Sequence, residues 1–229
     1  MQRSDIMSYV SAMTLRLEST SDLSIVMEEP ASGIIIVRSN SFPTTEASFD
    51  LKRHLITAET GSRLDGSGAL NELLNNPALV KNATYCLDGH IKIKTDVLGR
   101  PYNYKYRVFY NRNWSIAHGK RPSNFPDKGF RDGDQAGHVI AASMYGPHEM
   151  VNIVPMPWEF NENFYRFQEL YLASSLRELE KNDLDDWFIE LHINLCYSAN
   201  SLRPDCITLA ADVDNGRGYS SSLTSECIY

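Results

Sequence analysis

The residues best suited to chemistry sit in three neighbouring pieces: D-Q-A-G-H at Asp134–His138, N-I-V-P-M from Asn152, and F-N-E-N-F from Phe160. They supply one histidine, two asparagines nine residues apart, and Glu169 eight residues beyond the second asparagine. Phosphodiester hydrolysis needs such a set: a base to activate water, a cation to stabilise charge on the phosphorane and leaving oxygen, and contacts that hold the phosphate. No piece is specific alone. Their order and spacing carry the reading.

His138 suits the base, because imidazole accepts a proton near neutral pH. Gly137 before it permits a close backbone approach or a tight turn. Asn161 suits the cation role: its amide oxygen is a hard ligand, and magnesium keeps most of its waters, so one or two protein contacts suffice. It lies just before a helical pattern, where simple N-capping is the competing role. Glu169 is about 12 Å further along a helix, too far to share direct coordination with Asn161 but able to hold metal-bound water; a solvated helix carboxylate is the alternative. Asn152 reads as support for the local backbone.

The elements that must position these residues follow from periodicity. His90–Thr95 alternates apolar and polar residues, Leu98–Pro101 is a turn, and Tyr102–Tyr110 alternates again, which predicts a hairpin. A polar segment, Asn111–Asp134, leads to a short apolar strand at His138–Ala142 and an extended piece at Asn152–Pro155. The strongest helical pattern spans Asn163–Lys181, with Phe164, Phe167, Tyr171, Ala173, Ser174, Leu176 and Leu179 near one stripe. Trp187–Tyr197 and Cys206–Val213 read as strands joined by S-A-N-S-L-R-P-D. The expected fold is α+β: an antiparallel sheet with one long helix from about residue 84 to the end. Residues 1–83 form a smaller N-terminal region with strand-like runs at Leu23–Met27 and Gly33–Val37, a loop composition around 60–68, and a short helix over Ala69–Asn75 stopped by Pro77. Delivery, adaptor and partner-binding roles, or added strands, all remain open for it.

D-Q-A-G-H-V-I-A-A-S-M-Y-G, N-I-V-P-M-P-W-E-F-N and Glu169 together resemble the DNA/RNA non-specific endonuclease family of the ββα-metal (His–Me finger) superfamily. They are more closely similar to the branch found as C-terminal toxin domains of bacterial effectors. L-G-R-P, N-R-N-W at Asn111–Trp114 and Y-S-A-N-S-L-R-P extend the likeness over about Tyr85–Val213. The resemblance implies a ββα-metal finger core and a sequence-non-specific nuclease acting on DNA, with RNA as a second substrate. His138 would be the general base and Asn161 the single direct ligand of one Mg2+ or Mn2+ ion. Glu169 would hold the ion's water shell, Asn152 would support the core, and Arg112 would contact phosphate. The chain departs from the family's D-R-G-H pattern, which removes the motif arginine; Arg121, Lys128 and Arg131 are the candidate replacements. Met156 stands where glutamine is frequent. An immunity protein is the implied partner of a toxin. A non-catalytic nucleic-acid-binding protein on a degenerate nuclease scaffold is the alternative.

Composition sets the bounds. Of the 229 residues, 42% are hydrophobic, enough for a sizeable core, and the net charge of −7 argues against a general nucleic-acid binder. Its distribution is uneven: ten cations between Lys92 and Arg131 face only Asp96 and Asp127, whereas Glu178, Glu180, Asp183, Asp185 and Asp186 form an acidic cluster. The basic stretch is either a phosphate-binding face or a solvated strand surface. Tyr102, Tyr104 and Trp114 are candidates for base stacking, with hairpin packing as the alternative. His54, His90, His118, His148 and His192 read as surface or packing residues. Cys86, Cys196, Cys206 and Cys227 form no C-x-x-C pair; Cys196 and Cys206 flank a hairpin and could face each other, with buried thiols the expectation. No apolar run approaches the roughly 20 residues of a membrane span, and the first residues do not form a secretory signal. A cytoplasmic origin with export by a specialised route is the expectation.

Overall fold

A computed structural model of the chain describes residues 4–9, 11, 25–28, 33–39, 45–60, 70–76, 78–109, 129–181, 187–214 and 220–228. It is a mixed α+β structure of mostly antiparallel strands with one long helix. The described residues fall into two compact units. The first runs through Tyr102 and takes in His148–Val151; the second comprises residues 103–109, 129–147 and those from Asn152 onward.

In the first unit, strands β1 (Ile25–Glu28), β2 (Ile34–Ser39), β3 (Thr45–Asp50) and β4 (Leu55–Ala58) pair in order, each antiparallel to the next. β5 (Thr84–Leu87) joins β4 in parallel and β6 (Ile91–Thr95) returns antiparallel to β5. Alternation drives this arrangement: Ile35 and Val37, Ala47 and Phe49, Ile56 and Ala58, Tyr85 and Leu87, and Ile91 and Ile93 are all buried. Residues 4–9 are helical. Their Tyr9 meets the Phe49 ring edge-on at 6.2 Å and donates its hydroxyl proton to the Leu73 carbonyl at 2.7 Å. The short helix expected over Ala69–Asn75 is a single 3-10 turn, Glu72–Leu74. The turn after β6 forms as expected: Asp96 accepts from the Leu98 and Arg100 amides (2.9 Å each), and Gly99 takes φ +80°, where a side chain would be strained.

In the second unit, β7 (Pro101–Phe109), β10 (Phe188–Cys196), β11 (Cys206–Asp214) and β12 (Ser220–Ile228) form an antiparallel sheet in that order. Tyr104, Tyr106, Val108, Ile189, Leu191, Ile193, Leu195, Ile207, Leu209 and Ala211 are buried on alternate positions of its strands. A separate hairpin pairs β8 (Asp134–His138) with β9 (Ile153–Pro157). A helix follows β9 directly, so strand, strand and helix make a ββα unit. The first strand of this hairpin ends at His138, rather than beginning there as its apolar run suggests. Val139–Ala141 are buried beyond its end, and the Val139 amide donates to the Asn152 carbonyl at 2.9 Å.

The helix is also displaced from its expected start. It is helical from Trp158, passes through a π-helical segment at Phe160–Tyr165, and becomes α-helical over Arg166–Lys181. Its buried stripe is Tyr165, Leu172, Ala173 and Leu176, whereas Phe167, Leu170 and Tyr171 are 71%, 51% and 56% exposed. Phe167, Tyr171 and Ser174 therefore belong to the outer face and not to the inner stripe their apolar character suggests. Apolar spacing alone cannot tell which of two adjacent stripes meets the core.

Candidate active site

All of the described candidate residues lie in the second unit, on or beside the ββα unit. His138 is the last residue of β8, half-buried, opposite Ile153 of β9. Two contacts from the helix bracket it along the strand. Asn161 Nδ2 donates to Gln135 Oε1 at 2.7 Å, three residues before His138, and the Tyr165 hydroxyl donates to the Val139 carbonyl at 2.5 Å, one residue after it. Alternation assigns Gln135 and Gly137 to one face of β8 and Ala136 and His138 to the other, so the direct partner of Asn161 is Gln135.

Asn161 is not an N-cap. The chain is already helical at Trp158 and Glu159, and the Asn161 carbonyl accepts from the Arg166 amide, a five-residue bond that defines the π-turn. This has a geometric consequence. In a continuous α-helix Asn161 and Glu169 would differ in direction by about 80°. A π-turn of about 4.4 residues advances about 82° per residue, about 18° less than an α-helix, and over the four steps to Tyr165 this brings the two within about 10°. Burial agrees: half-buried Asn161, buried Tyr165 and half-buried Glu169 continue into the inner stripe of Leu172, Ala173 and Leu176. Glu169 is accordingly not a solvated helix carboxylate. Burial pushes its carboxyl up to about 7, with the Arg166 charge opposing and the Glu162 charge adding to the rise.

Glu162 and Arg166 form an ion pair at 2.7 Å one turn from Glu169. The same Gln135 amide lies 3.2 Å from both Trp158 Nε1 and Glu162 Oε1. Spacing did not reveal Gln135, Glu162, Tyr165 or Arg166 as members of this neighbourhood. Gln135 lies inside the D-Q-A-G-H motif, and its polar side chain on a strand beside an apolar run was the available signal.

Asn152 is 0% exposed and works as a brace. Its Oδ1 accepts from the Ile140 amide at 2.9 Å, and its Nδ2 donates to the Ile140 and Pro147 carbonyls at 2.9 and 2.8 Å. The segment leaving His138 thereby has its backbone groups paired without a regular strand. Gly137 serves by close approach: a Cβ there would overlap the Sδ of buried Met156 across the hairpin. Asp134, at the head of β8, receives Nε and Nη2 of Arg203 at 2.8 and 3.0 Å. Burial alone would raise the Asp134 carboxyl, but the Arg203 hydrogen bonds, the Arg131 amide and both positive charges lower it. Arg203 comes from the S-A-N-S-L-R-P-D turn, 69 residues away in sequence, and no local pattern pairs the two.

Of the candidate phosphate contacts, Arg131 is exposed, and its amide donates to Asp134 Oδ2 at 2.9 Å. Arg112, Arg121, Lys128, Trp114 and His118 lie outside the described residues. The basic stretch is less free than its charge count implies. Arg100 pairs with Asp96 at 2.7 Å, and Lys105 and Arg107 both reach Glu190 of β10, at 2.7 and 2.9 Å. Lys92 and Lys94 are exposed on β6, Tyr102 is partly exposed, and Tyr104 is in the core. His54, His90 and His192 make hydrogen bonds to the Asn82 carbonyl, the Asp88 carbonyl and Glu190. Cys196 is exposed and Cys206 half-buried, contrary to the expectation of buried thiols.

Among the described residues no group of three or more His, Cys, Asp or Glu side chains is arranged to hold a metal. The residues still fit a magnesium-like ion bound mainly through water. Asn161 commits one end of its amide to Gln135, its oxygen keeps a lone pair for an ion, and burial beside the Glu162 charge leaves Glu169 where a cation would favour its ionised form.

His138 thus ends the first strand of a ββα unit, Asn152 braces the backbone beyond it, and the Asn161 amide meets that strand three residues earlier. Residues 81–215 match the model of the DNA/RNA non-specific endonuclease family. The chain belongs to that family and is a nuclease hydrolase. No curated protein matches it. Among solved structures, one titled "extracellular endonuclease" is similar at 15% identity and a TM-score of 0.37, over 61% of this chain and 70% of that one.

Proposed function

We propose that this endonuclease is metal-dependent and cleaves DNA without sequence preference, with RNA as a second substrate. The position of His138, bracketed by the Gln135–Asn161 and Val139–Tyr165 contacts inside the family-matched segment, carries the reading. His138 accepts a proton from the attacking water. Asn161 would hold one Mg2+ or Mn2+ ion through its amide oxygen, and Glu169 would support that ion's water shell. When bound, the ion supplies stabilisation of negative charge on the phosphorane and the leaving oxygen. Asn152 holds the backbone that leaves His138, and Arg131 is the described candidate for a phosphate contact.

The likeness of the motifs to effector toxin domains supports an antibacterial role. In that role the producer keeps the protein in its cytoplasm beside an immunity protein and exports it by a specialised route. Plasmid cleavage in magnesium, against EDTA and against His138→Ala and Asn161→Ala, tests the chemistry. His138→Ala should lose at least about 100-fold in rate, and Asn161→Ala should lose cleavage with its circular dichroism unchanged. Cleavage in EDTA at the magnesium rate, or full activity in Asn161→Ala, overturns the metal assignment.

A further inference from the structure

We propose that Cys196 and Cys206 are a reversible disulfide pair that staples the neck of the β10–β11 hairpin. The two are direct partners in the ladder, Cys196 opposite Cys206, at the end where the strands open into the connecting turn. Facing residues of an antiparallel pair have Cα atoms about 4.5–5.5 Å apart, inside the roughly 4.4–6.8 Å that a disulfide spans. Their side chains share one face of the sheet. It is the outer one, because the neighbours Leu195 and Ile207 are buried on the other. Both cysteines carry thiols and both are accessible in part, Cys196 more than Cys206.

The staple would act on the loop it closes. Inside that loop Asp205 accepts from the Ser198 amide and hydroxyl at 2.5 and 2.6 Å, and Arg203 reaches out to Asp134 at the head of β8. Fixing the neck restricts the backbone that presents Arg203, and through Asp134 it steadies the strand that ends in His138. Disulfide formation here needs an oxidant, and glutathione disulfide is sufficient. The Cys196 thiolate attacks one glutathione sulfur, forming a mixed disulfide and releasing one glutathione thiolate. The Cys206 thiolate then attacks Cys196 Sγ, the Sγ–Sγ bond forms, and the second glutathione leaves. Two electrons pass from the cysteines to glutathione, and two protons are released from the cysteine thiols.

The full chain, incubated with glutathione disulfide, alkylated, unfolded and digested before aspartates, tests this. Cleavage before Asp205 separates the two cysteines into fragments 186–204 and 205–211. The expected result is one linked fragment pair that splits on reduction, a glutathione adduct held on Cys196 in Cys206→Ser, and a melting temperature several degrees higher in oxidised than in reduced wild type. Cys206→Ser should lack that rise. Two alkylated fragments after oxidation, or linkage to Cys86, Cys227 or a second copy, would overturn the pairing. A linked pair with no change in melting temperature would overturn the staple. Neither readout depends on nuclease activity.

Discussion

Replacing Asn152 separates a brace from a catalytic group. Asn152→Ala removes three hydrogen bonds at 2.8–2.9 Å and leaves the Ile140 amide, the Ile140 carbonyl and the Pro147 carbonyl buried without them. At about 1 kcal/mol for each net bond, with a further penalty for each stranded polar group, the loss comes to about 3–5 kcal/mol. Asn152→Asp keeps the volume and the acceptor for the Ile140 amide. It replaces the two donors with an oxygen that faces two carbonyls, unless a proton lets it donate to one of them. Its folded carboxyl should therefore titrate above the unfolded value, so the folded state holds a proton that the unfolded chain releases above about pH 4. Stability of Asn152→Asp then falls as pH rises from about 4 through the folded value, while the alanine variant shows no such added dependence.

Urea unfolding followed by the fluorescence of the three tryptophans, Trp114, Trp158 and Trp187, measures both variants. With a slope of about 2–3 kcal/mol per molar, the alanine midpoint should move down by about 1–2 M. In a stabilising osmolyte, cleavage per folded molecule should return to near wild type. A midpoint within error of wild type would refute the brace, as would an aspartate variant that is equally stable at pH 5 and pH 8. A folded Asn152→Ala protein with no cleavage would instead give Asn152 a direct part in catalysis.

Three further outcomes follow from the same geometry. Arg203→Met strands Asp134 in a largely buried site and should cost about 3–5 kcal/mol, with much of it recovered when Asp134→Leu is added; chemical unfolding of the two single variants and the double variant closes the cycle. Burial pushes the Glu190 carboxyl up, but Lys105 and Arg107 with His192 outweigh it and hold it at about 2. Because the folded value lies below the unfolded one, this stabilisation is complete above about pH 4.3 and disappears as pH falls through about 2. The stability gap between wild type and Glu190→Gln at neutral pH should close over that range in a series of unfolding curves. Gly137→Ala forces its Cβ onto Met156 and should cost about 1–3 kcal/mol. The added change Met156→Ala should recover part of the loss in thermal unfolding, and no recovery would place the strain elsewhere.

Much of the second unit could be read from local pattern. Alternation located β6, β7, β10 and β11, and the motif residues proved to lie on one hairpin and the helix after it. Pattern failed where stability comes from partners distant in sequence. Residues 45–58 carry only two short alternations, Ala47/Phe49 and Ile56/Ala58, and pairing with neighbouring strands completes β3 and β4 there. β12, S-S-S-L-T-S-E-C-I, carries little apolar alternation and pairs along its whole length with β11. Glu190 is invisible in a charge count of residues 91–131, yet cross-strand register places it beside Lys105 and Arg107 and neutralises much of what looked like a phosphate-binding face.

The π-turn is the sharper case, because it alters the chemistry and not only the boundaries. Read as an α-helix, F-N-E-N-F places Asn161 at a cap and turns Glu169 well away from it. The Asn161–Arg166 bond widens the turn, draws Asn161, Tyr165 and Glu169 onto one stripe, and lets that stripe meet β8 on both sides of His138. Propensity does not foretell such a turn. A π-segment gives up regular hydrogen bonding and needs compensation from packing, which here includes the Tyr165 hydroxyl on the Val139 carbonyl and the Asn161 amide on Gln135. Those contacts depend on β8 being in place, and β8 depends on Asp134 being neutralised by Arg203 from a hairpin 69 residues away. The spacing of His138, Asn161 and Glu169 is thus the local record of an arrangement that exists only in the folded unit. This is why the motif could suggest a chemistry while the residues that hold it in place had to be found in the structure.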